Sequence, residues 1–85
     1  MSYRIAFTRR AEREFGSLPE RERVRLGRRI DALATTPRPS GMKTLGGAED
    51  LYRLRSGDYR VIYQIEDRVI TIAVVRVGHR RDIYR

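Results

Sequence analysis

Three arginines stand at spacings that can bind an anion. Arg53 and Arg55 alternate with Tyr52 and Leu54, and Arg60 alternates with Tyr59 and Val61. In an extended chain, side chains two residues apart share a face. Arg53 with Arg55, and Arg60 with Ile62 and Gln64, are therefore expected on one side of a small sheet. Tyr52, Leu54, Tyr59, Val61, Tyr63 and Ile65 are expected on the other side, as core. Guanidinium groups on neighbouring strands repel one another unless an anion sits between them. A nucleic-acid phosphate is such an anion. The same spacing also fits solvated charge that keeps exposed strands from pairing. Beyond these strands lies Gly78-His79-Arg80-Arg81-Asp82-Ile83-Tyr84-Arg85, with the one histidine, further arginines and a tyrosine. A tail of this kind can fold over the sheet's open face.

The elements that must position these residues follow from periodicity. Tyr3–Phe7 alternates like a half-buried strand. Thr8 suits an N-cap, and Ala11, Phe15 and Leu18 lie on one face of a helix over about 9–15. Ser17 and Glu20 have capping-box spacing, and Pro19 suits a first turn. A second helix is expected to run to about Ala34, with Leu26, Ile30 and Leu33 as its apolar stripe. Residues 36–47, rich in proline and glycine, read as a loop. Three strands follow, at about 50–55, 59–65 and 69–77, joined by turns at Ser56-Gly57-Asp58 and Glu66-Asp67. Such short connections make an antiparallel meander. The last strand is apolar on both faces and suits a central place. The fold class expected is α+β, β-α-α-β-β-β, with a helix hairpin packed on one face of a small, mainly antiparallel sheet.

Bulk composition narrows the function classes. Residues 1–85 are expected to form a single domain. Without cysteine, neither a disulfide nor a thiolate zinc site can help to hold it. No apolar run is long enough for a bilayer, and arginines interrupt any signal-like segment near the start. A cytoplasmic protein without a membrane partner is expected. The net charge is +8, and of the 19 basic side chains only Lys43 is lysine. That excess favours a nucleic acid or an acidic protein as partner. No cluster of His, Asp and Glu has metal-ligand spacing, so neither a metal nor a cofactor is expected.

Gly57-x-Tyr59-Arg60-Val61-Ile62-Tyr63, then Val77-Gly78-His79-Arg80, then Asp82-Ile83-Tyr84, resembles the RelE branch of the RelE/ParE toxin superfamily. Ala11, Phe15, Leu18-Pro19, Pro37-x-Pro39 and Lys43-x-Leu45 fit as well, so the resemblance spans essentially the whole chain. It implies the toxin of a type II toxin–antitoxin pair, a ribosome-dependent mRNA endonuclease that cuts in the ribosomal A site. The 2′-OH attacks the adjacent phosphate, giving a 2′,3′-cyclic phosphate and a 5′-OH, without a metal. It also implies a cognate antitoxin as partner.

By the same resemblance, Arg60 holds the scissile phosphate and Arg80 stabilises or protonates the leaving 5′-oxygen. Tyr84 matches the proposed general base. Arg53 and Arg55 stand where relatives often carry lysine. Arginine keeps its proton, so these two are expected to bind phosphate rather than act as bases. Arg55 is counted with the catalytic group for its place beside Arg60. Lys43, Arg81 and His79 are further candidates for RNA contact. His79, whose unperturbed pKa lies near neutrality, could act in proton transfer instead, but alternation sets it opposite Arg80, which favours a structural or antitoxin-facing role. Tyr84 is also open to simple packing. The alternative function is a ParE-like toxin that binds and poisons DNA gyrase.

Overall fold

The computed structural model describes residues 2–46 and 50–83. Its elements are β1 (Arg4–Phe7), α1 (Arg9–Gly16), α2 (Glu20–Ala32), β2 (Lys43–Thr44), β3 (Leu51–Ser56), β4 (Tyr59–Glu66) and β5 (Thr71–His79). The two helices cover one face of a five-stranded sheet ordered β1-β5-β4-β3-β2. All neighbouring strands are antiparallel except β1, which lies parallel to β5 with Arg4 opposite Thr71. The fold is the expected α+β arrangement.

Local chemistry explains where the helices start and stop. Thr8 caps α1, its hydroxyl accepting from the Ala11 N–H at 3.1 Å. The expected capping box at Ser17 and Glu20 does not form. Ser17 Oγ instead donates to the Glu14 carbonyl at 2.9 Å, satisfying an end group of α1, and Pro19 becomes the N-cap of α2. α2 ends at Ala32, two residues earlier than expected, and the chain turns as the Thr36 N–H donates back to the Ala32 carbonyl. Its stripe of Leu26, Ile30 and Leu33 is buried against Tyr52, Leu54, Val61, Tyr63, Ile65, Ile72 and Val74. Each large side chain buried this way contributes about 1.5–3 kcal/mol.

The strands depart from expectation in three places. Lys43–Thr44, read as loop, forms a short edge strand opposite Arg53 and Tyr52. The last strand begins at Thr71 rather than Val69, because Asp67–Val69 winds into a short 3-10 turn and Ile70 takes a left-handed conformation (φ 48°). It also runs on to His79. Finally, Ile62 lies opposite Arg76 while Tyr63 lies opposite Val74, so Val75 is an extra residue in β5. This bulge lets Ile72 and Val74 before it, and Val77 after it, all face the core. β5 sits between β1 and β4, as two apolar faces require, although β4 holds the middle of the sheet.

Candidate functional site

Register places the cations of the open face in two rows. One row across the sheet is Lys43, Arg53, Ile62 and Arg76; the next is Arg55, Arg60 and Gly78. Arg55 and Arg60 are direct cross-strand partners, the relation in which like charges destabilise a sheet. The structure thus brings Lys43, Arg53, Arg55 and Arg60 onto one surface at the β3–β4 hairpin end.

Arg60 is the unusual member. It is only 8% exposed, although a guanidinium is costly to bury without partners. Its Nη1 donates to the carbonyls of Gly57 and Tyr59, each at 3.2 Å. Those carbonyls belong to the two-residue turn Gly57-Asp58 and the residue after it. Gly57 has φ +61°, the residue type and sign that a tight hairpin turn of this hand calls for. Arg80 meets the same turn. Its N–H donates to the Asp58 carbonyl at 2.7 Å, and its Nε lies 3.7 Å from the Asp58 carboxylate.

The chain beyond β5 does not cross the open face in its described part. Asp82 and Ile83 N–H groups donate to the His79 carbonyl, forming a turn, and Ile83 is buried. Ile83 lines a cavity of about 300 Å³ on the helix side together with Glu14, Leu18, Tyr59, Arg76 and His79. His79 pairs with Tyr59 in register, their rings edge to face at 5.4 Å, so it stands with the helix-side residues and apart from Arg60. Its Nδ1 accepts from the Arg81 N–H at 3.1 Å, and the Arg81 side chain is exposed in this turn. Tyr84 lies outside the described residues. Tyr63 is not a substitute base: burial first, then Tyr52, pushes its phenol up to about 12, and the hydroxyl donates to the Pro37 carbonyl at 3.0 Å.

A sequence profile described as "ParE toxin of type II toxin-antitoxin system, parDE" matches residues 5–84. "Toxin RelG" of Mycobacterium tuberculosis is 33% identical over 100% of this chain and 99% of its own length. "mRNA interferase toxin RelE" of Escherichia coli K12 is 34% identical, covering 94% of this chain and 85% of the relative. The chain belongs to the RelE/ParE toxin family. Among solved structures, the archaeal RelE–RelB complex from Pyrococcus horikoshii superposes with a TM-score of 0.82 at 31% identity, over 96% of this chain and 99% of that one.

Two acidic residues of this RelE/ParE chain escaped the sequence reading. Asp58 looked like turn chemistry alone. Glu14 lies on α1 where β1 has already ended at Phe7, beside the part of β5 that β1 leaves uncovered. Its carboxylate accepts from the Val77 N–H at 2.9 Å and from Arg76 Nε at 3.0 and 3.2 Å. Arg76, which register sets in the cationic row, is thereby tied to the helix side. Only the spacing Glu14 to Phe15, one polar residue beside a core position, hinted at this. Among the described residues no group of three His, Asp or Glu could hold a metal ion, and no helix is long and apolar enough to cross a membrane.

Proposed function

We propose that this single-domain chain is the toxin of a type II toxin–antitoxin pair and acts as an mRNA endonuclease in the ribosomal A site. The observation that carries the reading is the shared hairpin turn: Arg60 and Arg80 are both bound to Gly57-Asp58-Tyr59, with Arg55 directly across from Arg60. In the proposed reaction the 2′-OH attacks the adjacent phosphorus, the bond to the 5′-oxygen breaks, and a 2′,3′-cyclic phosphate and a 5′-OH result. Arg60 and Arg55 bind the phosphate and neutralise the charge that grows on it. Arg80 stabilises the departing 5′-oxygen. Arginine cannot take the 2′-OH proton. That role falls to Tyr84, whose phenolate a crowd of guanidinium groups would favour. Arg53, Lys43 and Arg81 hold neighbouring phosphates, whereas His79, on the far face, keeps a structural role. Groups at hand thus account for charge and proton without a metal. The partner proposed is a cytoplasmic antitoxin, acidic where it covers the cationic face, in line with the RelB complex of the archaeal relative.

Arg60→Ala and Arg80→Ala should each lower cleavage of ribosome-bound mRNA about 10²–10³-fold, the usual effect of deleting one such charge stabiliser. Induction of the unsubstituted chain in cells should yield new mRNA 5′ ends across translated messages. The name of the matched profile keeps a ParE-like gyrase poison as the competing reading. A DNA-damage response with intact messages would establish that reading and overturn the nuclease.

A further inference from the structure

We propose that Asp58 is a positioning residue for Arg80, and that the β3–β4 turn sets the spacing between the two arginines of the face; the inference rests on the nuclease reading above. Three consecutive residues divide the task. The carbonyls of Gly57 and Tyr59 hold Arg60 through Nη1. Between them, Asp58 meets Arg80 twice: its carbonyl accepts from the Arg80 N–H at 2.7 Å, and its carboxylate forms an ion pair with Arg80 Nε at 3.7 Å. Arg60 also lies opposite Gly78, two residues before Arg80.

The geometry of the second contact suits positioning. Asp58 engages Nε, which leaves the four N–H bonds on Nη1 and Nη2 for a second anion. At 3.7 Å the carboxylate attracts the guanidinium without a hydrogen bond, so it biases where the fork sits and leaves its outer edge open to an anion. The Arg80 and Asp58 side chains are 56% and 64% exposed, so the pair is weak and leaves the arginine able to follow a reacting oxygen. A carboxylate here also relieves the repulsion that Arg80 would feel from Arg55 and Arg60. The exposed neighbour Arg25, ion-paired with Glu22 at 2.8 Å, packs on the other side of the turn. Its guanidinium lies against Gly57, where a Cβ would stand 2.6 Å from it.

The test is single-turnover cleavage on mRNA-programmed ribosomes, with the chain uniformly labelled for nitrogen NMR in parallel. Asp58→Ala and Asp58→Asn should lower the rate at saturating ribosome roughly two- to five-fold, the range an exposed ion pair allows. The half-saturating concentration should not move. Asp58→Glu should recover most of the rate, and Asp58→Ala should cost nothing further in an Arg80→Ala background. In the free protein, Asp58→Asn should shift the Arg80 Nε–H resonance. A wild-type rate in Asp58→Asn, an unmoved Arg80 resonance, or an equal loss in the Arg80→Ala background would each overturn the proposal while the nuclease reading stands. Failure of the unsubstituted chain to cleave would overturn the nuclease reading first, and this role with it.

Discussion

Arg60 combines two demands that lysine could not meet together. It places one nitrogen on two backbone carbonyls while nearly buried, and its planar fork fixes that geometry as a flexible ammonium would not. Arg60→Lys should therefore lose cleavage almost as completely as Arg60→Ala despite keeping its charge; kinetics on programmed ribosomes would show it. Glu14 makes the opposite case, an anion whose value is structural. Removing it in Glu14→Ala orphans the Val77 N–H and the Arg76 guanidinium in a part-buried place. The cost should be about 1–3 kcal/mol in urea unfolding, with Glu14→Gln losing less. Gly57 answers to backbone geometry. At φ +61° an alanine is strained by about 1–2 kcal/mol. The nearby Arg25 side chain can swing aside, so Arg25→Ala should not rescue Gly57→Ala in a melting experiment.

At the scale of elements, the loop before β2 is fastened by a small network. The Tyr3 hydroxyl and Arg38 both donate to the Asp67 carboxylate, and the Arg38 guanidinium lies 5.8 Å from the Tyr52 ring centre. The Tyr3 hydroxyl first, and Arg38 second, hold the Asp67 carboxyl below its ordinary 3.8. A group lowered in the fold stabilises it above the unfolded value, and that contribution is lost as pH falls through the folded value. Melting curves of the unsubstituted chain and Asp67→Asn should thus separate slightly at neutral pH and converge as the pH drops past 3.8. Alternation made β3 and β4 legible, which is why Arg53, Arg55 and Arg60 were assigned one face from the residues alone. Thr8 was legible as a cap for the same kind of reason: its chemistry is local. Three features were not. Lys43–Thr44 is too short to show a period, and its pairing is decided by β3. Val74-Val75-Arg76-Val77 carries no mark of a bulge, because valine suits either face. Ser17 had two possible partners, and the Glu14 carbonyl won over the start of α2.

Charge belongs to the whole molecule. A net +8 on 85 residues draws any polyanion, and the site adds order to that attraction by gathering Lys43, Arg53, Arg55 and Arg60 at one end of one face. Binding of a single-stranded RNA carrying 2′-deoxy at the cut site should weaken with salt. Arg55→Ala should reduce the slope of log affinity against log salt by about 0.7, the share of one phosphate contact. An unchanged slope would remove Arg55 from the RNA path. The charge and the arginine face could be read from the sequence; the meeting of Arg60 and Arg80 at one turn could not, since it depends on the register of β4 against β5.

The parallel pairing of β1 with β5 bears on how the chain is made. Arg4 finds its partner only at Thr71, and Thr8 donates its N–H to the Val74 carbonyl. A chain emerging from synthesis carries Ile5 and Phe7 with no strand to lie against until nearly all of the sheet has been translated. Contacts so distant in sequence form late, because loop closure must precede them. The arginine face depends on the same last strand, through Gly78 beside Arg60 and Arg80 at the turn. The nascent polypeptide therefore cannot assemble this cationic face until β5 has been made.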